Sequence, residues 1–170
     1  LAVLVTYLAK GRRVKAVARN ASPITQGRSF EALQRIMGDR TQVRLAYSAS
    51  SIQPGVFGII HPVLLLPEGM PDRLSDAELE AIIAHELAHV RRRDNLFSAI
   101  HMFVEALFWF HPMVWWIGAK LIQERERACD EDVLSMGKDP QAYARGILKV
   151  CELYLESPLA CIAGVTGADM

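Results

Sequence analysis

Apolar positions change their period along the chain, and each change predicts an element. Leu1-Ala2-Val3-Leu4-Val5-Thr6-Tyr7-Leu8-Ala9 is a nearly unbroken apolar run that ends at Lys10, Arg12, Arg13, Lys15 and Arg19. After Ser22-Pro23, the apolar residues Phe30, Leu33, Ile36 and Met37 recur at helical spacing. Val43-Arg44-Leu45-Ala46-Tyr47 then alternates. Gly55-Val56-Phe57-Gly58-Ile59-Ile60 and Val63-Leu64-Leu65-Leu66 are short apolar runs separated by His61-Pro62 and closed by Pro67-Glu68-Gly69. These three segments predict a small antiparallel sheet of about three strands.

Everything after the sheet reads as helix. Ser75-Asp76-Ala77-Glu78 is an S-x-x-E capping box, in which Glu78 is placed to reach back to the Ser75 amide. The helix it starts carries Leu79, Ile82, Ile83, Leu87 and Val90 on one face and is predicted to end near Arg93. A second helix is predicted over 95–110, before His111-Pro112. A third runs from near Met113 to Met136, with Gly137 as its stop, and a fourth follows Asp139-Pro140 as far as Ser157-Pro158. The predicted class is α+β, a mainly helical domain with a small antiparallel sheet ahead of the capped helix.

Two segments are oily beyond what a core requires. The run at 1–9 is too short to span a bilayer, which takes about 20 apolar residues. Ending in a basic cluster, it reads as the cytoplasmic exit of a transmembrane helix, so 1–20 forms a membrane-exit and juxtamembrane segment and 21–170 the folded domain. Residues 96–119 include Phe97, Phe103, Phe108, Trp109, Phe110, Trp115 and Trp116. Pro112 breaks that stretch and Glu105 is costly in lipid, so a helical hairpin dipping into the bilayer, or one lying at its interface with aromatic anchors, fits better than a simple span. The alternative is the core of a compact helical domain.

Composition agrees and adds exclusions. The 170 residues are 51% hydrophobic, with 19 basic and 19 acidic side chains, and the mean hydropathy is +0.15. Zero net charge without a long basic run argues against direct nucleic-acid binding. Cys129, Cys151 and Cys161 are odd in number and match neither a disulfide framework nor a C-x-x-C site, which predicts free thiols. The abrupt, Met-less start reads as a piece of something longer.

The chemistry concentrates in His85-Glu86-Leu87-Ala88-His89, an H-E-x-x-H sequence inside the capped helix. Spacing of four puts both imidazoles on one face, able to grip one metal ion, and this composition would yield the pattern by chance only about 0.01 times. Glu86 is turned about 100° from His85, toward the position of a metal-bound water. A zinc site open to water needs a third protein ligand, for which His101, Glu105, His111, Glu124, Glu126, Asp130 and Glu131 are candidates. Glu126 and Asp130 share a helix face. Glu126 as ligand with Asp130 behind a ligating histidine would give a carboxylate–histidine–zinc arrangement, with Cys129 a softer alternative. Glu124, Arg125 and Arg127 read as a solvated face.

The combination of His85-Glu86-Leu87-Ala88-His89, Arg93-Asp94-Asn95, Phe110-His111-Pro112-Met113-Val114-Trp115 and Glu126-Arg127-Ala128-Cys129-Asp130 resembles the BlaR/MecR-type antirepressor membrane metallopeptidases. The run Gly58-Ile59-Ile60-His61-Pro62-Val63-Leu64-Leu65-Leu66-Pro67 is similar to that family's hairpin before the zinc helix, so the resemblance covers about 22–160. His111 departs from it, standing where many relatives have Asn. The resemblance implies a zincin-like, gluzincin-type domain with one zinc ion held by His85, His89 and Glu126. It also implies an integral protein of a bacterial inner or plasma membrane, with the peptidase domain facing the cytoplasm.

The mechanism expected from these residues is hydrolysis by a zinc-activated water, with Glu86 as general base and then proton donor to the leaving amine. The strands over 55–66 are expected to hold an extended peptide by edge addition. The expected partners are membrane lipid and a protein or peptide substrate, either a transcriptional repressor or the protein itself. Rival readings are a housekeeping membrane metallopeptidase and a non-catalytic transducer braced by zinc.

Overall fold

A computed structural model describes residues 12, 21–38, 43–49 and 53–155. The expected membrane exit at 1–20, apart from Arg12, and the tail with Cys161 lie outside the described residues. The elements in chain order are β1 (Ser22–Pro23), α1 (Arg28–Met37), β2 (Arg44–Ser48), β3 (Gly55–Phe57), β4 (Val63–Pro67), α2 (Met70–Arg73), α3 (Asp76–Arg91), α4 (Asp94–Leu107), α5 (Pro112–Ser135) and α6 (Pro140–Leu155).

The sheet is mixed, with strand order β1-β2-β4-β3, which corrects the antiparallel expectation. β3 and β4 do form the antiparallel hairpin, with Val56 opposite Leu64, but β4 lies parallel to β2, with Leu45 opposite Leu64. Burial accounts for the arrangement. Leu64, Leu65 and Leu66 are fully buried, and a strand apolar on both faces needs neighbours on both edges, which places β4 inside the sheet. Hairpin spacing in a sequence fixes which strands are consecutive, not which strand closes the other edge. Ser22–Pro23, expected only as a boundary, pairs with β2 as a short edge strand, where proline is tolerated. The apolar run at 55–60 leaves the sheet after Phe57, and Ile60 is exposed. Gly58 (φ 98°) turns the chain there, and a Cβ at that position would meet the His61 carbonyl oxygen at 2.6 Å.

Helix α3 is the centre of the domain. Its Ser75–Glu78 capping box forms in both directions, at 2.8 and 3.3 Å. Leu79, Ile82, Ile83 and Leu87 enter one core with Leu33, Val43, Leu45, Leu64, Leu66 and Val133. Arg28 fastens α1 to the start of α3, its guanidinium donating to the Pro71 and Leu74 carbonyls, both at 2.9 Å. Helix α6 packs on the far side of α3, with Gly146 close to the Glu78 carbonyl and Ile82. Between α3 and α4 the chain turns at Arg93, the one non-glycine residue with positive φ (57°) among those described. That left-handed residue starts α4 immediately after α3 and keeps Asp94 close to the end of α3.

Helix α4, the connection after it and the first half of α5 turn apolar side chains outward. Phe97, Phe103, Trp109, Phe110, Trp116 and Leu121 are all more than half exposed, whereas Glu105 is 5% exposed. His101 lies against the backbone of Gly118, where a Cβ would approach its Cε1 to 2.5 Å. No helix among the described residues is long and apolar enough to cross a membrane.

Candidate metal centre

Helices α3 and α5 supply the candidate ligands, and α4 and α6 bring groups up behind them. Helix α3 presents His85 and His89 one turn apart, their rings edge to face at 4.9 Å between centroids. Helix α5 brings Glu126 opposite them, its Oε2 3.5 Å from His85 Nε2 and 3.7 Å from His89 Nε2. Tetrahedral ligands about 2.0–2.1 Å from a zinc ion stand roughly 3.3 Å apart, so this donor set fits such an ion with little adjustment. Glu126 is held down at about 2, first by the His85 imidazole, then by His89 and Arg125, against the opposing effect of burial.

Both imidazoles turn Nε2 toward Glu126 because Nδ1 is engaged behind. His89 Nδ1 lies 2.7 Å from Asp94 Oδ2 at the start of α4. His85 Nδ1 lies 2.6 Å from the Tyr143 hydroxyl on α6 and 3.2 Å from Asp130 Oδ1. The Tyr143 hydroxyl donates to Asp130 at 2.6 Å, so it accepts from His85 Nδ1–H, and in the neutral imidazole, the form that ligates a metal, the lone pair is then on Nε2. A hydrogen-bonded partner behind each ring is how metal-ligating imidazoles are commonly oriented.

Glu86 sits on the adjacent face of α3, 9% exposed. Burial raises its pKa, offset in part by His85 and His89 and by a hydrogen bond from the Val56 amide. The Val56 carbonyl accepts from Asn95 Nδ2 at 3.0 Å, and the same amide donates to the Gly58 carbonyl at 3.0 Å. The Val56 carbonyl, on the edge strand β3, is therefore already engaged within the chain. A cleft of about 460 Å³ opens over the histidines, walled by Pro54, Val56 and Phe57 on one side and by Tyr143, Ile147 and Val150 on the other.

The structure therefore gathers His85, Glu86, His89, Glu126 and Asp130 in one place. His101 and Glu105 lie apart, paired with each other on α4, and His111 caps α5, accepting from the Met113 amide. Cys129 is fully buried against the Nδ1 side of His89, at 3.2 Å, away from the Nε2 that faces Glu126. Burial and the neighbouring Asp94 push its thiol up to about 12. Among the described residues, His89, Asp94 and Cys129 form the other grouping close enough to share an ion.

One expectation is overturned and two residues were missed. Arg125, expected on a solvated face, folds over Glu126 and lines the cleft. Asp94 was visible only as part of a motif and Tyr143 only as a helical apolar position. Neither carries a local signal, because each reaches its histidine through a turn or across a helix interface.

A family model described as BlaR1 peptidase M56 matches residues 1–167. The chain belongs to this family. The methicillin resistance mecR1 protein of Staphylococcus aureus is 30% identical over 97 residues, which is 57% of this chain and 17% of that protein. The regulatory protein BlaR1 of Bacillus licheniformis is 32% identical over 93 residues, 55% of this chain and 15% of that protein. A protease HtpX homolog from Methanosarcina mazei is 37% identical over 71 residues, 42% of this chain and 22% of that protein. The matched part is thus under a quarter of each relative's length. Membership in this family makes the chain a metallopeptidase-type domain with a mainly helical α+β fold.

Proposed function

We propose that this chain is the zinc endopeptidase domain of a regulatory membrane protein of the BlaR/MecR type, cleaving a cytoplasmic repressor or itself. The observation that carries this reading is the convergence of His85 Nε2, His89 Nε2 and Glu126 Oε2 beside a buried carboxylate, Glu86, at the floor of an open cleft. His85, His89 and Glu126 would hold one zinc ion, with Asp130 and Asp94 orienting the two rings. Bound zinc supplies a Lewis acid for the scissile carbonyl and makes water a nucleophile near neutral pH. Glu86, raised by burial, takes the proton from the attacking water at its carboxylate and returns it to the leaving amine. With the Val56 carbonyl already engaged, the peptide is gripped also by the cleft walls, where Ile82, Ile147 and Val150 offer an apolar surface.

The outward apolar side chains of α4 and the start of α5 support the hairpin at 96–119 as a membrane-dipping element of a domain that faces the cytoplasm. α4 has 14 residues, about 21 Å of helix, which falls short of the roughly 30 Å hydrocarbon core and suits entry from one side. Lipid is then the neighbour of Trp109, Trp115 and Trp116. Their fluorescence should shift to the blue on mixing with phosphatidylcholine–phosphatidylglycerol vesicles, and no shift would remove lipid from the proposal.

The catalytic part is tested with Glu86→Gln. Zinc content should remain one ion per chain while cleavage of unfolded β-casein, or of the chain itself, is lost. Proteolysis that survives with zinc bound would sink the assignment. Zinc without proteolysis in the wild type would favour the non-catalytic transducer. A housekeeping peptidase differs in acting with no cognate repressor encoded nearby.

A further inference from the structure

Glu126 has two carboxylate oxygens, and the structure treats them differently. Oε2 faces both histidines. Oε1 accepts two hydrogen bonds from its chain neighbour Arg125, from Nε at 3.2 Å and Nη2 at 3.1 Å. Adjacent residues on a helix diverge by about 100°, so this contact requires the guanidinium to fold back across the helix surface. It is held there by a third bond, from Nη1 to Ser98 Oγ on α4 at 2.8 Å. The planar fork of Arg125 thereby spans α4 and α5 and pins one oxygen of a side chain that is itself 44% exposed.

We propose that Arg125 is the positioning residue of the third metal ligand. By engaging Oε1 and anchoring on Ser98, it presents Oε2 alone to an ion held by His85 and His89. The proposal rests on the reading of Glu126 as a ligand. It makes a prediction of definite sign, because a cation beside a zinc site would by Coulomb repulsion alone weaken zinc binding, and its removal would then tighten it. If Arg125 acts through geometry, its removal must loosen zinc.

The test is zinc affinity of the purified 170-residue chain, measured by competition with a chromophoric chelator. Arg125→Gln is expected to weaken zinc binding by about tenfold to a hundredfold, the usual effect of losing a partner behind a metal ligand. Arg125→Lys keeps the charge but not the fork and should weaken it comparably. Ser98→Ala should give a smaller loss in the same direction, and Arg127→Ala, which removes only an exposed pair with Glu131, should leave affinity unchanged. Unchanged or tighter binding in Arg125→Gln overturns the proposal, and full affinity in Arg125→Lys overturns the role of the fork. Glu126→Ala separates the two levels. If that variant binds zinc like the wild type, the ligand assignment itself fails. If it loses zinc while Arg125→Gln does not, only the role of Arg125 fails.

Discussion

Glu78 ties the helix that carries both histidines to helix α6, and replacing it by glutamine tests how much of that tie is charge. The side chain is 4% exposed, accepts from Lys149 Nζ at 2.7 Å and from the Ser75 amide at 2.8 Å, and has Arg145 Nε at 3.6 Å. The Lys149 bond, followed by the Ser75 amide, holds its carboxyl at about 2 against an ordinary 4.5. At 1.36 kcal/mol per pH unit, that difference has a ceiling of ~3.4 kcal/mol. Lys149 and Arg145 are 41% and 56% exposed, so solvent screening reduces it to about 1–2 kcal/mol. Because the folded value lies below the unfolded one, this stability is fully present above about pH 4.5 and is lost as pH falls toward 2. Urea unfolding followed by circular dichroism at pH 7 and pH 3 gives the readout. Glu78→Gln should cost about 1–2 kcal/mol at pH 7 and less than half of that at pH 3. Other carboxylates titrate equally in both proteins and cancel in the difference. An equal cost at the two pH values would refute the reasoning and assign the loss to the helix cap.

Asp94→Ala should weaken zinc binding by about a hundredfold and Asp94→Asn by about tenfold, since the asparagine oxygen still accepts from His89 Nδ1; chelator competition distinguishes them. Tyr143→Phe should lower affinity by less than about tenfold, because Asp130 already stands 3.2 Å from His85 Nδ1 and takes over that proton, a difference the same titration resolves. Gly58→Ala places a Cβ 2.6 Å from the His61 carbonyl oxygen at φ 98° and should destabilise by roughly 2 kcal/mol or more in thermal unfolding.

The parts legible from sequence are those in which one residue's neighbours along the chain decide its environment. The capping box at Ser75 and the pairing of His85 with His89 are properties of a single helix, and each appears where spacing places it. Apolar periodicity likewise located Leu79, Ile82, Ile83 and Leu87 in the core. Contacts between elements were not legible in this way. The parallel pairing of β2 with β4 depends on which strand closes the sheet, and the run at 55–60 does not show that Gly58 ends β3 early. Arg125 sits in a run of alternating charges that usually marks a solvated face. Its role exists only because Ser98 arrives from another helix at 2.8 Å. Asp94 depends in the same way on a left-handed Arg93, a conformation for which arginine gives no signal.

The hairpin α4–α5 shows where periodicity is silent for a different reason. An apolar stripe facing a protein core and one facing outward have the same spacing, so Phe97, Ile100, Phe103 and Leu107 alone do not say which way they point. The polar residues decide it. His101 packs against Gly118, Glu105 is buried, and Ser98 holds Arg125, so the seam between the helices is polar and leads directly to Glu126. An exposed aromatic face over a seam of polar groups is the kind of surface that marks an interaction site. The seam that holds Arg125 beside Glu126 is thus the reason the aromatic side chains of the hairpin turn outward, which is the observation behind the proposed lipid contact.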